Sequence, residues 1–74
     1  MNDLIENLRA IRNDVDWENC DNLVDGHVIA SFDIIQIVGM IKAEYDIKVP
    51  VSEIKPSNFN SAKALYEMIE RLED

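Results

Sequence analysis

The chain has 74 residues, 47% of them apolar, and carries fifteen acidic against seven basic side chains for a net charge of −8. A globule of this length buries only about 60% of the surface its unfolded chain exposes, which leaves room for one core and none for a separate catalytic cleft. The acidic excess opposes binding to nucleic acid and to anionic lipid by long-range repulsion and makes a basic patch on another protein the natural complement.

In chain order, the opening MNDLIENL places acids where a secretory signal needs positive charge, so no export is expected. From Asp3 to about Asn13, Leu4, Leu8 and Ile11 recur at spacings of four and three with Ile5 beside them, which predicts an amphipathic helix capped by Asn2 or Asp3. The periodicity then dissolves into VDWENCDNLVDGHVI, a connection too irregular for one helix face. Loops of this length are unusual in compact domains, and Trp17, Leu23, Val24 and Ile29 imply that this one is pinned onto the core. Seven of the fifteen acids fall in residues 1–25 against Arg9 and Arg12, an asymmetry read chiefly as solubility. Cys20 is the single cysteine, so no internal disulfide forms, and with His27 as sole companion it cannot build a structural zinc site. A reducing cytoplasm is the expected compartment.

The next helix should run from Ser31 to about Tyr45 and end in Asp46-Ile47-Lys48-Val49-Pro50, since proline disfavours helix in the residue before it. At about 100° per residue, Ile34, Ile37, Val38, Ile41 and Tyr45 share one stripe facing the bundle. Its longest mostly apolar stretch, Ile34 to Ile41, is far short of the roughly 20 residues that span a bilayer, so no membrane insertion is expected. The opposite side carries Phe32, Gln36, Gly39 and Ala43, with Ile35 at its edge, and lacks the charge of a solvated face. Apolar anchors beside small residues suit helix-mediated docking. The same pattern also fits Phe32 folded back on the loop and Gly39 as a tolerated helix glycine. Ser31 stands where the helix begins and reads as its N-cap, while the exposed amides and positive dipole end there also favour a phosphate. No histidine, lysine or second acid is positioned to make Ser31 a nucleophile of its own, so another enzyme would have to act on it. Pro56 splits the remainder of the chain: Ser52 to about Lys55 makes one short helical turn, and Asn60 or Ser61 caps a last helix lined by Ala62, Leu65, Ile69 and Leu72. The expectation is an all-α four-helix bundle, with three longer helices, a short third one and a long first loop. Its core should contain Ile5, Leu8, Ile11, Val38, Ile41, Tyr45, Phe59, Leu65 and Ile69.

With these elements in place the chain resembles the acyl carrier protein family, including the peptidyl and D-alanyl carriers. The resemblance rests on the acidic first helix, the long loop and a serine opening helix two followed by Phe32-Asp33-Ile34-Ile35. It continues through Ala43-Glu44-Tyr45-Asp46-Ile47-Lys48-Val49-Pro50 and the segment IKPSNFNS from Ile54 to Ser61. It implies a single carrier domain over residues 1–74, monomeric, in which a phosphopantetheinyl transferase attaches 4′-phosphopantetheine to Ser31. The arm's thiol would hold an acyl, aminoacyl or peptidyl thioester, loaded by an acyl- or aminoacyl-loading ligase and delivered to a downstream synthase or transferase, with no catalysis by the carrier. Phe32, Asp33, Ile35, Gln36 and Gly39 would form the docking face. Ala30 stands where the family's Asp-Ser-Leu signature has aspartate, and helix two, with Gln36, Lys42 and Ala43 among Asp33 and Glu44, is less acidic than in fatty-acid carriers. Partners should therefore lean on the apolar face more than on basic patches. The rival is a helical interaction or regulatory module that uses the Phe32 face permanently and keeps Ser31 only as a cap. One histidine and one cysteine provide no converging acid, base or metal set, so no enzyme is expected.

Overall fold

The computed structural model describes residues 2–73 and shows four helices and no strand among them. They are α1 (Asn2–Ile11), α2 (Ser31–Tyr45), α3 (Pro56–Phe59) and α4 (Ala62–Glu73), with a 3₁₀ turn at Val51–Glu53 between α2 and α3. The all-α bundle expected from the periodicities is the observed architecture, consistent with the carrier-type bundle that the resemblance implies. Leu4, Leu8, Leu23, Ile37, Ile41, Phe59, Leu65, Met68 and Ile69 meet at its centre, each essentially without solvent contact.

α1 stops two residues earlier than its apolar spacing suggests, and the reason is local. The Arg12 amide still donates to Leu8 O at 3.0 Å, but the Arg12 carbonyl turns away to accept the Trp17 indole N–H at 2.8 Å. Asp3 lies inside the first turn rather than capping it; the Asn2 side chain lies outside the described residues. The loop from Arg12 to Ala30 contributes Val15, Trp17, Leu23 and Ile29 to the core, with Val24 half-buried against it. Asn60 clasps this loop: its carbonyl accepts from the Leu23 amide at 2.9 Å, and its side-chain oxygen accepts from Val24 and Asp25, both at 3.0 Å.

α2 has the expected limits, but Asp46 ends it, not Pro50, by turning left-handed (φ 55°) and donating its amide to Lys42 O at 3.1 Å. Its buried stripe is also rotated. Ile37 and Ile41 are fully buried, whereas Ile34, Val38 and Tyr45 lie half-buried at the edge. Of the predicted core, Ile5, Leu8, Ile41, Phe59, Leu65 and Ile69 are buried, while Ile11, Val38 and Tyr45 only flank it. Pro56 starts the short helix instead of ending it, because its fixed φ and missing N–H suit the first helical position. The turn expected at Ser52–Lys55 is the 3₁₀ turn, one residue earlier. Ser61 caps α4 as expected, accepting the Ala64 amide on Oγ at 3.0 Å.

Candidate functional site

The N-terminal corner of α2 is built backward from Asp33. Ala30, extended at φ −114° and ψ 177°, is the N-cap residue, and its methyl group offers no acceptor. In place of a cap, Asp33 reaches back and accepts the Ala30 amide on Oδ2 at 3.0 Å, while Ala30 O receives the first helical bond from Ile34 at 3.1 Å. The helix thus begins one residue earlier than a serine cap requires, and Ser31 is its exposed first residue, not its N-cap. The amides of Ser31, Phe32 and Asp33 belong to the opening turn, where helix geometry supplies no acceptor, and the positive end of the dipole lies beside Ser31.

Beside Ser31 the outer side of α2 is open. Phe32 and Ile35 are each 68% exposed, and Gln36 and Gly39 are exposed with them. Phe32 therefore does not fold back on the loop. A Cβ added at Gly39 would meet nothing within 4 Å, so packing within this chain does not demand glycine there. Asp33 is the exception among the residues assigned to this face: it is 8% exposed and turned inward. It shapes the corner instead of meeting a partner. Val51 and Ile54 add exposed apolar surface just after α2. Neither shares a helical periodicity that would have marked it in the sequence.

Asp33 turns inward because Arg12 is there. Arg12 Nη1 donates to Asp33 Oδ2 and to the Val28 carbonyl, both at 3.1 Å, while Nε and Nη2 fork onto Asp14 at 3.1 and 2.7 Å. The hydrogen bonds to Asp14 and then Asp33 raise the guanidinium above its ordinary pKa, and the same bond holds the Asp14 carboxyl below the usual carboxylate range. The preceding loop closes with Gly26 against Asn22 and with His27 left-handed at φ 57°. His27 is exposed. The Val28 and Ile29 amides both return to Leu23 O, at 2.9 and 3.0 Å.

An open hollow of about 440 Å³ lies elsewhere, lined by Ile5, Trp17, Cys20, Ser61 and Lys63 among others, and shares no residue with the Ser31 corner. No group of three or more histidine, cysteine or acidic side chains able to hold a metal occurs among the described residues. No helix there is long and apolar enough to cross a membrane.

With that geometry in hand, the chain is similar to Aminoacyl carrier protein 1 of Bradyrhizobium diazoefficiens, 37% identical over 41 residues. The match covers 55% of this chain and 46% of that protein, so it spans less than half of the relative's length. No family model matches. No solved structure matches.

Proposed function

We propose that the protein is a single-domain carrier that holds its cargo on 4′-phosphopantetheine attached to Ser31 and delivers it to partner enzymes without catalysing a reaction itself. The observation that carries this reading is the exposed serine at the open first turn of α2, set beside an exposed apolar face. The residues fit the group: Asp33 occupies the Ala30 amide, which leaves the amides of Ser31, Phe32 and Asp33 for a phosphate ester on Ser31. When bound, the arm supplies a terminal thiol for a thioester. Among acyl, aminoacyl and peptidyl cargo, the name of the similar protein favours aminoacyl. Loading would come from an aminoacyl-loading ligase, and Phe32, Ile35, Gln36 and Gly39 would meet it and the downstream transferase. A monomer in a reducing cytoplasm suits both the arm's thiol and Cys20.

The chain's own part in the modification is to present a hydroxyl. Ser31 Oγ forms a new bond to the phosphorus of coenzyme A's 4′-phosphopantetheine as the diphosphate bond breaks. Adenosine 3′,5′-bisphosphate leaves, and the serine proton goes to a base on the transferase. No base of this chain is needed, and the isolated His27 is not required as one.

Incubation with coenzyme A, magnesium and a broad-specificity phosphopantetheinyl transferase should add one phosphopantetheine mass, which fragmentation places on Ser31 and on none of Ser52, Ser57 or Ser61. Ala30→Asp should speed the reaction by giving the transferase a charged contact beside the hydroxyl, and Ser31→Ala should abolish it. An Ala30→Asp variant that also stays unmodified sinks the carrier reading.

A further inference from the structure

We infer that Arg12 is a positioning residue for Ser31, because its guanidinium ties the end of α1, the Val28 carbonyl and the Asp33 carboxylate into one clamp that fixes the corner from Val28 to Asp33. The functional half of this inference rests on the carrier reading; the structural half does not.

The chain of contacts is short. Arg12 Nη1 donates to Asp33 Oδ2 at 3.1 Å, and the same oxygen accepts the amide of Ala30, the neighbour of Ser31, at 3.0 Å. The second bond from Nη1, to Val28 O at 3.1 Å, holds the incoming strand of loop two residues before Ala30. Asp14, forked onto Nε and Nη2, fixes the plane of the guanidinium from the other side. The planar fork serves four acceptor oxygens at set angles, whereas an ammonium has only three donors, on a flexible stem.

Ile29 is anchored in the core and the Val28 and Ile29 amides bond to Leu23 O, but from Ala30 onward little else holds this corner. Phe32 and Ile35 point outward, Ile34 is half-buried, and full apolar burial on α2 begins only at Ile37. Within the first turn, Asp33 is the buried side chain, and its anchor is the ion pair with Arg12. Ala30 provides no side-chain cap, so the turn into the helix depends on the Asp33 carboxylate that accepts its amide. An element held by polar contacts over a shallow core opens at lower cost than one packed at its centre. Loss of the clamp should therefore lower the fraction of molecules that present Ser31 in the geometry a transferase meets. Partner binding would then have to select that fraction.

This predicts a split in the kinetics. In phosphopantetheine transfer at a temperature well below the melt, Arg12→Ala and Arg12→Lys should raise KM for the carrier about five- to tenfold while kcat stays within about twofold, since at saturating carrier the competent fraction alone fills the enzyme. Amide hydrogen exchange should accelerate at Ala30 and Ile34, whose amides bond to Asp33 Oδ2 and to Ala30 O, and stay unchanged at Leu8 and Ile41. Arg9→Ala, which removes a neighbouring arginine paired with Glu18 at the surface, should change neither readout. If Arg12→Ala does not fold, Arg12→Lys carries the comparison. An Arg12 variant with the wild-type KM and wild-type exchange at Ala30 and Ile34, or with exchange accelerated evenly over the whole chain, overturns the clamp. Wild-type and Ala30→Asp protein that no transferase modifies would instead overturn the carrier reading, and the exchange data alone would then decide whether Arg12 holds the corner.

Discussion

One position in register separates a serine that caps a helix from a serine that is offered to solvent. Because Ala30 is the N-cap and Ser31 the first helical residue, Ser31→Ala should leave stability within about 0.5 kcal/mol, as for an ordinary surface change. Ala30→Ser should supply the absent acceptor and add about 1 kcal/mol, raising Tm by about 4–8 °C for a domain of this size. Thermal melts of the two variants check both; a Ser31→Ala loss as large as the Ala30→Ser gain would restore Ser31 as the cap. Asp14 carries a second residue-scale consequence. Its folded pKa is depressed, first by the hydrogen bond from Arg12, so its contribution is present above the ordinary carboxylate value near 3.8 and lost as pH falls through the lower folded value. Urea melts between pH 5 and pH 2 should therefore show an acid-side loss of stability that is smaller in Asp14→Asn. An identical pH profile in that variant would show that the Arg12 pairing does not bias folding.

At the scale of elements, α2 tests which side faces inward. Ile41 is fully buried and Val38 lies at the stripe's edge, so Ile41→Asp buries an unpaired charge and should abolish folding of so small a domain, while Val38→Asp should leave a weakened cooperative melt. Phe32→Ala should change stability by about 0.5 kcal/mol or less, since that ring is already 68% exposed. Equal damage from Val38→Asp and Ile41→Asp, seen by circular dichroism, would return the stripe to its unrotated position. The rotation was not legible in the sequence because an apolar wheel places Ile34, Ile37, Val38, Ile41 and Tyr45 on one arc and gives no weight to an acid. Asp33, drawn inward by Arg12, pulls the buried side of the helix toward itself. That partner lies 21 residues away, and an ion pair between single residues leaves no periodic trace. Local signals read well: the ends of α2 and the Ser61 cap on α4 emerge from spacing and capping chemistry, and the loop's contribution to the core from its apolar composition. Pro56 read poorly because the same fixed φ that ends one helix begins another. The exposed side of α2 was visible as a deficit of charge, whereas Val51 and Ile54 became visible only once the turn between α2 and α3 was folded.

For the molecule as a whole, the long loop is as much a part of the core as the helices are. Trp17 sits on that loop with its ring 1% exposed and its indole N–H bonded to Arg12 O, and it is the chain's single tryptophan. The protein therefore carries its own optical label. Folded, its fluorescence should be that of a shielded indole, emitting at shorter wavelength than the denatured chain, and excitation selective for tryptophan will report the loop alone. Helical circular dichroism reports the bundle. If loop and bundle form one cooperative unit, the two signals should trace the same urea transition with the same midpoint. An emission shift that precedes the loss of helix would mean that the loop detaches first, as a separately melting layer.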